Sequence, residues 1–103
     1  MSPAARATDP WTSKDAAMRA AVAPLQDRLI YLFENTFPMT DDELIAEYAR
    51  AASRFHWKPA SPSGIRSRRS ELVDMGYLID TGRTALTPSG RHTIIWGLKW
   101  LLN

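Results

Sequence analysis

GYLIDTGRTALTPSGRHTIIWGL, residues 76–98, decides between two architectures for the last third of the chain. Read with a period of two, YLID (77–80) and HTIIWGL (92–98) are strands, rich in β-branched and aromatic residues. The Gly/Pro/Ser/Thr-rich stretch TGRTALTPSGR (81–91) is then the loop of a hairpin. The competing reading starts a helix at Thr87-Pro88 and carries it through LKWLLN, apolar nearly all round. Gly97 and the run Thr93, Ile94, Ile95 are poor helix formers and favour the strand.

Upstream, Ser61 is placed to cap a helix with Pro62 at its first position, and Gly76 to end it. FHWKPASP (55–62) is a turn with two prolines. Before it, Thr40 and Glu43 form a capping box for a helix from Asp41 to about Arg54, with Leu44, Ile45, Tyr48, Ala49 and Ala52 at core spacing. Asp41 and Asp42 add negative charge at the positive end of that helix. A further helix opens at Pro24 and runs through LQDRLIYLFENTF, with Leu25, Leu29, Leu32 and Phe33 on one face. TSKDAAMRAAV (12–22) is able to form a short helix capped by Thr12 or Ser13, and residues 1–11 read as a flexible tail. Three helices followed by a β-hairpin is an α+β order, that of a winged helix-turn-helix domain over 12–103.

Composition limits the alternatives. The chain has 103 residues, no cysteine and a net charge of +2. One small domain with a single core is expected. Disulfides and thiolate metal sites are excluded, and His56 and His92 are far apart without a clustered carboxylate, so no metal and no cofactor are expected. No glycine-rich phosphate loop and no nucleophile with a base is present, so no enzyme is expected. No stretch suits a membrane span or signal peptide, which implies a cytoplasmic location. Charge is uneven: residues 1–60 hold seven Lys/Arg against eight Asp/Glu, whereas 61–103 hold six against three. A basic C-terminal part is a hint of a polyanionic partner.

The basic part begins with SGIRSRRSEL (63–72). On a helical wheel, Ile65 and Leu72 hold the helix to the core, with Met75 on the same broad side. Ser63, Ser67, Ser70 and Asp74 fall opposite, flanked by Arg66 and Arg68. Arg66 is the candidate for reading a base, with Ser63 and Ser67 as lesser candidates; these serines and Ser70 allow close approach, and Arg68 touches phosphate. Arg69 lands near the core side, where a guanidinium needs a partner, so it is expected to be structural and paired with a carboxylate or backbone carbonyls, Glu43 or Glu47 of the preceding helix being the favoured partner. In the hairpin, Arg83, Arg91 and His92 lie on or near the loop, which would be a wing. Of the four tryptophans (Trp11, Trp57, Trp96, Trp100), Trp96 is assigned to the core.

The segments TSKDAA (12–17), MTDDELI (39–45) and SGIRSRRSELVDMGYLIDTGRTALTPSGRHTIIW (63–96) together resemble small winged helix-turn-helix proteins of actinobacterial bacteriophages and their hosts. The likeness covers about residues 12–98. It implies a strand at HTIIWGL and carries over Arg66, Arg68, Arg69 and Glu71 in the helix motif and Gly82, Ser89, Gly90 and Arg91 in the wing. Ala85 stands where that group tends to have another basic residue. By analogy the resemblance implies duplex DNA binding, as in a phage or bacterial transcriptional regulator. The alternative from the residues themselves is a protein-interaction module on the same fold. It would bind a host or phage protein, or a second copy as a homodimer, through Trp100, Leu101 and Leu102, with Phe55, His56 and Trp57 as a further contact.

Overall fold

The computed structural model describes residues 22–102. The expected tail (1–11) lies outside them, as does the short helix expected over 12–22 except for Val22. The described chain folds as α1 (Pro24–Asn35), α2 (Asp41–Phe55), α3 (Pro62–Asp74), β1 (Leu78–Leu86), β2 (His92–Leu98) and a final turn of helix, α4 (Lys99–Leu102). Three helices followed by an antiparallel hairpin make an α+β winged-helix arrangement.

Each helix starts where local chemistry satisfies its free amides. Pro24 opens α1, where a missing N–H costs nothing. The Ala23 amide, just before it, donates to Gln26 Oε1 at 2.8 Å. At α2 the capping box closes in both directions: Glu43 N donates to Thr40 Oγ1 at 3.2 Å and Thr40 N to Glu43 Oε1 at 2.9 Å. At α3 the Gly64 amide donates to Ser61 Oγ at 3.0 Å. The ends are equally local. His56 takes the left-handed conformation (φ 58°) after α2, and its amide donates to Ala52 O. Gly76 (φ +88°) does the same after α3, and Tyr77 N then donates back to Leu72 O at 2.9 Å.

One continuous core unites these elements. Leu29, Ile30, Leu32 and Phe33 of α1, Leu44, Tyr48 and Ala51 of α2, Ile65 and Leu72 of α3, and Leu78 and Leu98 of the hairpin are all buried. Each of the buried Leu, Ile and Phe side chains contributes about 1.5 to 3 kcal/mol of transfer free energy. Two helix faces are rotated from the expected ones: in α2 Ala51 is buried and Ala49 exposed, and in α1 Ile30 is buried while Leu25 is only partly so. Trp96 is partly buried against this core and not enclosed by it.

The hairpin departs from the expected boundaries on one side. β2 occupies 92–98, but β1 extends to Leu86, so most of the expected loop over 81–91 is strand. Register explains why it reads as loop: Asp80 faces Trp96 and Thr84 faces Ile94, so three residues of β1 oppose Ile95 alone. Within this bulge Gly82 N donates to Asp80 Oδ1 at 2.8 Å, and Thr81 Oγ1 donates to Ile95 O at 2.7 Å. Side chains thus complete a ladder that the backbone interrupts. The turn itself is short. Gly90 N donates to Thr87 O at 2.9 Å with Gly90 at φ +85°, and Thr87 N donates to Arg91 O at 2.8 Å. This is a three-residue hairpin loop with Pro88 in its first position and glycine where the left-handed conformation is required. The sheet gains one further pairing, Met39 with Trp96, hydrogen-bonded in both directions at 2.9 Å.

Paired residues share a face of the sheet. Leu78 and Leu98 are buried at its base, whereas Leu86, on the same face near the tip, is 66% exposed. The hairpin therefore leaves the core along its length. On the other face Leu102 of α4 packs over Gly97, where an added Cβ would lie 2.6 Å from Leu102 Cδ1. A helix running from Thr87 to the C-terminus is excluded; only Lys99–Leu102 are helical.

Candidate nucleic-acid interface

Ser63, Arg66, Ser67 and Ser70 form the exposed face of α3, with Asp74 below them, and Ile65 and Leu72 are buried behind. The three arginines of the run have three different environments, each set by a carboxylate.

Arg69 is the most enclosed. Its Nε and Nη2 donate to Asp41 Oδ1 and Oδ2 at 2.8 and 2.9 Å, with 15% and 19% of the two side chains exposed. Its guanidinium carbon also lies 4.3 Å from the centroid of the Trp96 ring. A planar guanidinium suits both contacts at once, a carboxylate along its edge and an aromatic ring under its face. Arg69 is thus structural as expected, but its partner is Asp41, not Glu43 or Glu47. Glu43 is committed to the Thr40 cap, and Glu47 pairs with Arg50. Helix α2, helix α3 and strand β2 are pinned together by this stack.

Arg68 Nη2 donates to Glu71 Oε2 at 2.7 Å, and Gln26 Nε2 of α1 donates to Glu71 Oε1 at 2.6 Å. The Arg68 hydrogen bond first, and that of Gln26 second, hold the Glu71 carboxyl below the usual carboxylate range. Arg66 makes a looser contact: Nη2 donates to Asp42 Oδ1 at 3.2 Å, with the two side chains 48% and 60% exposed. Exposed pairs of this kind contribute about 0 to 1 kcal/mol, so Arg66 can exchange Asp42 for another acceptor at little cost. Arg69, bidentate and largely enclosed, cannot.

Arg83, Arg91 and His92 are exposed on the hairpin, as is Lys99 just after it. His92 Nδ1 lies 3.4 Å from Thr84 Oγ1. Arg83, Arg91 and Lys99 have no ion-pair partner among the described residues, and from residue 81 to the end the sequence has no Asp or Glu. Net positive charge is therefore concentrated on the hairpin, whereas that of α3 is locally balanced. Thr87 Oγ1 and Ser89 Oγ, 2.9 Å apart, bond to each other at the tip.

Sequence reasoning missed Asp41, Asp42 and Gln26 as partners of this surface. The first two were read only as dipole charges; what places them is the crossing of α2 on α3, which sets the first turn of α2 beside Arg66 and Arg69. A spacing signal existed, since Arg66 and Arg69 are three apart and share one helix face.

Among the described residues no group of three or more His, Asp or Glu could hold a metal ion. No helix among them is long and apolar enough to cross a membrane. No family model matches the chain, and no curated protein or solved structure is significantly similar to it.

Proposed function

We propose that this chain binds duplex DNA as a winged-helix protein and serves as a transcriptional regulator, with α3 in the major groove and the hairpin against the adjacent backbone. The observation that carries the reading is the pair of uncompensated arginines, Arg83 and Arg91, on a hairpin locked to α3 through the Arg69–Trp96 stack. A rigid link matters because groove and backbone contacts must be made together. Arg66 and the small serines around it meet the base edges, and the wing arginines supply the salt-sensitive attraction to phosphate. This role places the protein with the DNA in the cytoplasm of a bacterium or phage host.

Fluorescence anisotropy with labelled duplexes between 50 and 200 mM salt tests the reading. Affinity should fall steeply with salt, and the double variant Arg66→Ala/Arg91→Ala should weaken binding by about tenfold or more. Unchanged affinity in that variant would remove the assignment.

A second reading, a docking module for a host or phage protein or for a second copy, is favoured by the exposed Leu101 and Leu102. Trp100 belongs less to that surface, being partly buried with its ring 6.1 Å from that of Tyr77. Leu101→Glu with unchanged DNA affinity but loss of a dimer in sedimentation would support this alternative.

A further inference from the structure

Asp42 does not close the α2 cap, which Thr40 and Glu43 form between them, although its charge suits the positive end of the helix dipole. Nor does it serve the core: more than half of its side chain is exposed, and its ion pair is with Arg66. An acidic residue is a poor choice beside a surface that meets phosphate, unless it acts on the arginine it holds. Its geometry shows how. One guanidinium N–H is engaged by Asp42, and a guanidinium has five. Two donors on another edge are what guanine O6 and N7 require. Arg69 offers the contrast, with two donors and one face already used.

Resting on the DNA-binding reading above, we propose that Asp42 is the positioning residue that makes Arg66 selective for guanine. It engages the guanidinium by one N–H and so biases it away from the phosphates, weakly enough to leave the side chain adaptable, with the remaining edge toward the groove. Its negative charge also repels backbone oxygens whenever α3 sits in the wrong place. Without that charge Arg66 becomes an ordinary phosphate ligand: tighter on any duplex, and less discriminating.

Selection from a pool of duplexes with a randomised centre, using the whole chain and its Asp42→Asn, Asp42→Glu and Arg66→Ala variants, tests this directly. The natural chain should enrich a motif with a fixed guanine. Asp42→Asn should reduce that preference by about tenfold, within the range a bidentate arginine contributes. It should also raise affinity for unselected duplex by about twofold and steepen its salt dependence. Asp42→Glu should keep most of the preference, and Arg66→Ala should abolish it. Asp42→Asn should lower the melting temperature by only a few degrees, the share of the helix dipole, and Asp42→Glu should not lower it, which separates positioning from a larger role in folding. An unchanged guanine preference in Asp42→Asn, or retention of duplex by the natural chain without any enriched guanine, would overturn this inference and leave DNA binding standing. Failure of the natural chain to retain duplex at 50 mM salt would overturn both.

Discussion

Helix α3 and the hairpin are both rich in arginine, and they use it in opposite ways. In α3 each of the three arginines meets a carboxylate: Arg66 with Asp42, Arg68 with Glu71, Arg69 with Asp41. In the hairpin Arg83 and Arg91 meet none among the described residues. A dense run of positive charge in sequence is therefore the weaker source of field at the surface, and two scattered residues are the stronger. Charge density along a chain predicts a polyanion site only after the partners supplied by the fold have been subtracted.

Removing one arginine from α3 and one from the hairpin should have very different effects on folding. Arg69→Ala leaves Asp41 without its partner and uncovers one face of Trp96. Removing one partner of a fully buried pair costs about 3 to 5 kcal/mol; with part of this pair solvated, about 2 to 3 kcal/mol is expected. Urea unfolding should show it as a lower midpoint with an unchanged slope. Arg83→Ala or Arg91→Ala should stay within about 0.5 kcal/mol of the natural chain, as surface changes without a partner do. Equal losses on the two sides would mean that the hairpin arginines also serve the fold.

Binding should reverse the ranking. Arg83→Ala/Arg91→Ala is expected to weaken binding to duplex by about tenfold near 0.1 M salt. It should also make the dependence of log affinity on log salt shallower by about 2, one phosphate contact for each arginine. Arg68→Ala should leave that slope nearly unchanged, because its charge is already spent on Glu71. A salt titration of the two variants side by side checks this, and a large change of slope in Arg68→Ala would refute the division of labour.

Much of this arrangement was legible before any coordinates. The Thr40–Glu43 box, Ser61 with Pro62, and Gly76 fixed the start of α2 and both ends of α3, because caps are local and depend on residues a few positions apart. The wheel placed Arg69 inward for the same reason. What was not legible came from contacts distant in sequence. Asp41 and Asp42 look like ordinary first-turn acids until α3 crosses beside them, and Gln26 looks like a surface residue until Glu71 reaches it. The bulge at Thr81–Arg83 hid half of β1 because a glycine between polar residues reads as a turn. Thr81 Oγ1 replaces the missing ladder bond there, and only the opposite strand reveals it. The pairing of Met39 with Trp96 was hidden in the same way, because the two residues are far apart in sequence.

Acid provides the subtlest test of the contrast, because each arginine of α3 is paired with a carboxylate, whereas the hairpin arginines have none among the described residues. Hydrogen bonds from Arg68 and Gln26 lower the pKa of Glu71 in the folded protein. Below the ordinary carboxylate range the unfolded chain takes up a proton at this position while the folded chain still resists. The stabilisation is therefore fully present above the unfolded pKa, and it is lost as pH falls through the lowered folded value. In melting experiments from about pH 7 to pH 3, Glu71→Gln should remove this share of the acid sensitivity, so that its curve converges on that of the natural chain at the acid end. Curves that stay parallel throughout would show that the charge of Glu71 adds nothing to the acid sensitivity of the fold. Protonation of Glu71 has a second consequence: Arg68 loses its counter-charge, and α3 gains the positive field that its sequence suggests but its fold withholds. Duplex affinity relative to Glu71→Gln should therefore stay constant on mild acidification and rise only where the pH falls through the lowered folded value of Glu71.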